Sequence, residues 1–262
     1  MHFLTAALFA AIMLSPRVAR AQADEIQVYD GGLAAPGIFN LTLHSNFTPK
    51  GLTTPAFPGS VVADRSFNGV PEWAYGVTDW FEAGLYLPLY THDKHTGWGL
   101  DGFKLRTLFA VPHADDRRFV YGANFEFSYN ARRWDAKRFT SEVRPIVGWH
   151  LKPWDIIINP IVDTSYDGFK NLELVPAMRV AYTFIGSGWT VAAEEYADYG
   201  FVGDLNSPHE QAHQLYGVVN HTIGSVDIEA GIGVGLTDAT DRVTFKLILA
   251  HDFNKRPRRL VR

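Results

Sequence analysis

The sequence predicts an all-β fold, a transmembrane antiparallel up-and-down β-barrel of about 12 strands. Three observations carry that expectation: apolar residues recur with a period of two, the alternating stretches are long, and the tryptophans cluster at their ends. Composition removes the competing classes. Of 262 residues 47% are hydrophobic, 14% aromatic and 20% charged, which is far from a disordered chain. The absence of cysteine excludes disulfides, thiolate metal sites and thiol catalysis. No apolar run reaches the roughly 18 residues of a membrane helix. A net charge of −4 offers no basic surface for nucleic acid.

The first segment reads as an address. Phe3 to Leu14 form an apolar run too short to span a bilayer, and Ala21-Gln22-Ala23 supplies a small-residue cleavage site. The expected division is therefore a signal peptide over 1–23, a barrel over 24–253 and a basic tail over 254–262.

Alternation begins after residue 37. Phe119, Tyr121, Ala123, Phe125, Phe127 and Tyr129 alternate with Val120, Gly122, Asn124, Glu126 and Ser128. Val226, Ile228, Ala230, Ile232, Val234 and Leu236 alternate with Asp227, Glu229 and three glycines. A strand gathers such residues on one side, where a helix would scatter them. The same reading places strands near 38–47, 70–77, 80–90, 98–110, 119–130, 139–150, 154–164, 172–184, 189–199, 212–221, 226–236 and 242–253. The weakest is 212–221, where Leu215, Val218 and Val219 break the alternation.

Connections alternate as well. Thr78-Asp79, Leu151 to Pro153, Ile185 to Gly188 and Thr222 to Ser225 read as tight turns, with a longer one over 111–118 on the same side. The stretches 48–69, 91–97, 131–138, 165–171 and 200–211 are mostly longer and more polar. Short turns at one end and long loops at the other is the layout of an outer-membrane barrel.

Alternation alone does not say which face meets water. Strand length favours a tilted membrane crossing, since the stretches exceed the usual five or six residues or so of soluble sheets. Trp80, Trp149, Trp154 and Trp189 lie beside short turns; Trp73, Trp98 and Trp134 are expected at the opposite end. Belts at two membrane interfaces give that placement.

The stretch YGVTDWFEAGLYLP (75–88), with EVRPIVGWHL (142–151), NPIVD (159–163) and HQLYGVV (213–219), resembles one family of outer-membrane barrels, that of the meta-pathway of phenol degradation. The resemblance runs over roughly 70–253 and rests on hairpin and lumen residues. It implies a barrel in a Gram-negative outer membrane that passes small solutes inward, aromatic ones among them. One departure is the end of the chain: Phe253 suits the aromatic close of a last strand, but NKRPRRLVR follows, with five basic residues.

His209-Glu210-Gln211-Ala212-His213 spells the HExxH motif, whose zinc chemistry needs both histidines on one helical face. The stretch that follows has no helical stripe, so a loop at the barrel mouth is the better expectation, and neither a metal nor any other cofactor is assigned. No Gly-x-Ser-x-Gly elbow occurs, and the chain is read as a non-enzyme.

Inward parity collects charge. Lys104, Arg106, Glu126, Glu142, Arg144, Asp163, Glu173, Arg179, Glu194, Asp227, Glu229 and Lys246 fall on the polar face, with Glu72, Glu82, Asp155, Asn159 and Arg242. Each would cost a few kcal/mol, about 2–4 for a basic one, if turned to lipid at mid-membrane. Two uses compete: a mixed-charge constriction that selects solutes, in which Arg106 and Arg144 brace Glu126 and Glu142, or a salt-bridged plug that holds the barrel shut. The first gives the expected function, a passive porin-like channel in the outer membrane. Its partners are the lipid bilayer, an unnamed small solute and the barrel-assembly machinery. A closed structural or signalling barrel is the alternative, and an outer-membrane hydrolase a more distant one.

Overall fold

The computed structural model describes residues 25–254, so the expected leader and the tail after Asn254 lie outside the described residues. Within that span the chain closes into an antiparallel barrel of 12 strands. They are β1 (Phe39–Lys50), β2 (Ser66–Gly76), β3 (Phe81–Asp93), β4 (Gly97–Ala110), β5 (Phe119–Asn130) and β6 (Phe139–Leu151). Then come β7 (Trp154–Asn159 and Val162–Thr164), β8 (Glu173–Leu174 and Ala177–Phe184), β9 (Trp189–Asp198 and Gly200–Phe201), β10 (Ala212–Ile223), β11 (Val226–Gly235) and β12 (Val243–Asp252). Each strand pairs with the next, and β1 closes on β12 with Phe47 opposite Phe245. Closure satisfies every edge, which a sheet in lipid requires.

The expected inversion of faces holds along the wall. On β4, Leu105 is 52% exposed on the outside while Arg106 beside it is 4% exposed and points in. On β10 the ambiguity resolves because Val218 faces the lumen and Leu215 and Val219 face out. A bulge at Leu87-Pro88 of β3 turns both Tyr86 and Leu89 inward. Pro145, Pro160 and Pro176 interrupt the ladder at one height on β6, β7 and β8. The register on either side of the break (Val143 opposite Val162, Val147 opposite Ile158) sets Pro145 across from Pro160. The β7–β8 register sets Pro160 across from Pro176 in the same way. Proline has no N–H to give, so β7 and β8 part there into two segments while β6 runs through.

Two sequence expectations need correction. The connection expected over 91–97 is a tight turn of three residues, because β3 and β4 run to Asp93 and from Gly97 and the Asp93 carboxylate caps the amides of His95 and Thr96. Trp73 belongs to the short-turn end, three residues before Gly76, since β2 starts at Ser66 in a polar stretch that alternation did not reveal. The belt there joins Trp80 to Phe81 and Phe109, Trp149 to Phe119, Trp154 to Tyr182, and Trp189 to His221. At the loop end Trp98 meets Phe67, Tyr90 and His92, and Tyr129 meets Phe103 and Phe139.

Residues 25–38 take no part in the wall. They enter the lumen through the short-turn mouth, where Gly37 donates to the Gly76 carbonyl and Gly76 to that of Ile38. A Cβ at Gly76 would collide with the Ala34 carbonyl oxygen, so only glycine lets the segment pass so close. Gly31, at φ 90°, turns the chain against Val120 and Ala114. Above it Ile26 and Val28 pack on Ile157, Ile161, Val175, Tyr196, Tyr216 and Val218. The inner face is therefore not uniformly polar: it carries an apolar patch that the segment covers.

The outward orientation of β5 gives a direct test. Phe125→Arg, at mid-strand on the outer face, is expected to cost about 2–4 kcal/mol, and Ser128→Arg, which points into open lumen, less than about 1 kcal/mol. Urea unfolding in lipid vesicles compares the two; equal losses would mean that the faces are assigned wrongly.

Candidate functional site

Strand register brings the inward charges into two networks. On β1 to β6, Arg106 pairs with Glu72 at 2.7 Å and with Glu82, and His44 lies 3.1 Å from Glu72. Lys104 pairs with Glu126 at 3.2 Å, and Asn124 donates to the same carboxylate at 2.9 Å. Arg144, with 0% exposure, holds Glu142 at 2.6 Å and reaches Glu25 at 3.7 Å. On β8 to β12, Lys246 pairs with Glu194 at 2.5 Å and Glu229 at 2.7 Å, and Arg179 contacts the same two carboxylates and Asn220. Both networks also grip the N-terminal segment. Arg144 donates to the Gln27 carbonyl at 2.9 Å and Lys246 to that of Ile26 at 3.1 Å.

The expected bracing of Glu126 and Glu142 by Arg106 and Arg144 is half met. Arg144 holds Glu142, but Arg106 turns toward β2 and β3, and Lys104 serves Glu126. The reason is geometric: Glu72 and Glu82 face Arg106 across β3, where Gly84, directly opposite it, leaves room for the guanidinium. Glu126 stands directly opposite Glu142, Glu142 opposite Asp163, and Asp163 opposite Glu173, a row of carboxylates across four strands. Like charges so placed repel, and Lys104 and Arg144 offset the first two. Asp227 lies at the short-turn rim, exposed, accepting from Thr222 at 2.6 Å. Arg242 is off the wall, in the loop before β12, paired with Asp238. Asp155 pairs with His150 at 2.6 Å, and Asn159 clamps the main chain of Tyr29 with two hydrogen bonds.

A cavity of about 580 Å³ opens at the loop end. Lys104, Glu126, Glu142, Asp163 and Glu173 line it, with Ser128, Thr140, Gln214 and Thr244. Ile26 of the segment also lines it, and the second network, with Arg106 and Arg144, lies outside its lining. At the rim, Lys94 hydrogen-bonds Asp64 and holds that carboxyl below the usual range; Lys137 does the same for Asp167. Burial pushes Asp115, in the long connection of the opposite mouth, upward, with Asp30 adding to it.

Sequence reasoning missed the segment. Tyr29 lies with its ring centre 4.6 Å from the Arg144 guanidinium carbon and 5.5 Å from that of Arg106, and its hydroxyl is 2.6 Å from that of Tyr86. Tyr86, Leu108, Ile146, Ile157 and Tyr216 sat at inward parity, and that run of apolar residues on a polar face was the available signal. The HExxH residues do not share a helical face: His209 and Glu210 form a turn with Ser207, and His213 lies in the first residues of β10 and pairs with Glu195.

Burial sets the expected cost of disruption. Arg144→Ala strands two carboxylates and is expected to lose about 3–5 kcal/mol. Arg242→Ala, at an exposed pair, is expected to lose less than about 1 kcal/mol, measured by the same urea unfolding.

No protein-family model and no curated protein matches the chain. Solved structures do. An outer membrane channel, COG4313, from Pseudomonas putida F1 has a TM-score of 0.57 at 11% identity, over 87% of this chain and 100% of that one. The NanC porin has a TM-score of 0.52 at 10% identity, over 83% of this chain and 100% of that one. At such identities the likeness speaks of architecture, and the architecture is that of an outer-membrane β-barrel.

Proposed function

We propose that the chain is a passive outer-membrane channel for small solutes. The observation that carries this reading is the loop-end cavity of about 580 Å³, lined by charged and hydroxyl side chains and ending on the mixed-charge floor of Lys104, Glu126 and Glu142. An inward face of that kind discriminates by charge and by hydrogen bonding. The aromatic skin of the wall suits a bilayer, and the neighbouring folds include a channel and a porin. The sequence resemblance to the phenol-degradation barrels supports aromatic solutes as the cargo. Export by a signal peptide and insertion by the barrel-assembly machinery complete this reading.

One observation favours the second reading, a closed barrel. Below the cavity the segment from Glu25 to Leu33 fills the lumen, and passage requires it to shift. Planar-bilayer recordings decide between them. The full chain is expected to conduct weakly, and a variant lacking residues 25–33 to conduct several-fold more. Arg106→Ala is expected to move ion preference toward cations, because Glu72 and Glu82 lose their guanidinium. No current from any of the three would leave the closed barrel as the better account.

A further inference from the structure

Tyr29 fills a recess built mainly by the wall, with Leu33 of its own segment packed against it. Its ring packs on Leu108 and Ile146, the Arg106 and Arg144 guanidiniums lie over it, and Tyr86 meets its hydroxyl at 2.6 Å. All of these partners belong to β3, β4 or β6. Arg106 is held by Glu72 and Glu82, and Arg144 by Glu142, so both guanidiniums have wall carboxylates to fix them without the segment. Tyr86 is fully buried and its direction is set by the bulge in β3. With the segment withdrawn, the wall would keep a ring-sized recess with cations over its face and a hydroxyl at its end.

The segment is held less completely at its start. Glu25 is 1% exposed, yet neither carboxylate oxygen has a hydrogen-bond partner, and Arg144 is 3.7 Å away. Burying a carboxylate without donors opposes the docked state. Ile26, three residues from Tyr29, lines the cavity above, so movement of this short stretch joins the recess to the cavity.

We propose that the recess is a binding site for a small hydroxylated aromatic ring, and that Tyr29 occupies it as a built-in stand-in for that solute. The chemistry selects on two counts. A guanidinium over the ring favours a π face over a saturated ring of the same shape. The Tyr86 hydroxyl favours a ring with a hydroxyl over a bare one, since the bare ring leaves a buried polar group unpaired. The proposal deepens the channel reading and relies on it for how the solute arrives; binding itself is independent of current.

The test uses the tyrosine side chain as a free molecule, 4-methylphenol, with toluene and 4-methylcyclohexanol for comparison. The chain has no cysteine, so Val28→Cys in the full chain introduces a single thiol at a buried position. In detergent, 4-methylphenol is expected to speed the labelling of that thiol by a soluble maleimide by about tenfold, and the other two probes to leave it unchanged. Gln27→Cys serves the same purpose if Val28→Cys does not fold. Calorimetry on Tyr29→Ala is expected to show 4-methylphenol bound more tightly than toluene, and Tyr86→Phe added to it to remove about tenfold of that affinity without affecting toluene. Equal binding of all three probes, or no effect of Tyr86→Phe, would reduce the recess to ordinary packing and overturn the proposal. Because these arms need no membrane, a silent bilayer would count against the channel and not against the site.

Discussion

The Arg144 guanidinium joins the wall to what the wall encloses. It is wholly buried, it neutralises Glu142 on its own strand, and it reaches Glu25, the Gln27 carbonyl and the Tyr29 ring on the segment. A buried charge is tolerable only with partners and donors saturated. On a strand, successive inward side chains occupy a fixed lattice, so partners come from the next inward position on the same strand, from neighbouring strands at matching height or from something inserted between them. Arg144 uses the first and the last. Lys246 repeats the arrangement on the far wall, with Glu194, Glu229 and the Ile26 carbonyl.

Barrel size makes the insertion necessary. About eight strands enclose a space that side chains fill, and 16–18 or so enclose open water. Twelve strands lie between, and the two halves of this lumen divide the possibilities. The lower half is packed, with Tyr29, Ile26 and Val28 completing apolar surface that the wall alone leaves uncovered. The upper half stays open, lined by the carboxylate row and by hydroxyls. Lys104 and Arg144 meet its row of like charges at Glu126 and Glu142.

The wall was legible in the sequence because lipid and lumen impose opposite chemistry on alternate residues. Phe125 beside Glu126, or Leu105 between Lys104 and Arg106, admits one orientation. Strand limits were less legible where lipid contact ends: Ser66 to Gly69 belong to β2 but carry no alternation, and Trp73 was misplaced with them. The site was legible as a set of charges and not as a set of pairs. Parity puts Arg106 inside but does not say that it turns to Glu72 and Glu82, which depends on the space opposite Gly84. The segment was illegible because its residues have no period: QVYDGG acquires its conformation from Asn159, Arg144 and Tyr86, each supplied by a different strand.

That dependence sets an order of events in assembly. Tyr29 meets Tyr86, which is 57 residues away along the chain, then Asn159 at a separation of 130, while Lys246 grips Ile26 from 220 residues on. The segment is among the first parts of the described chain to be made, yet its last anchor lies on the final strand. Contacts between distant parts of a chain form late, because closing the loop between them costs entropy before any contact rewards it. The segment enters through the short-turn mouth, beside Gly76. Its full docking needs β12 in place, and a docked segment marks a barrel whose last strand has joined.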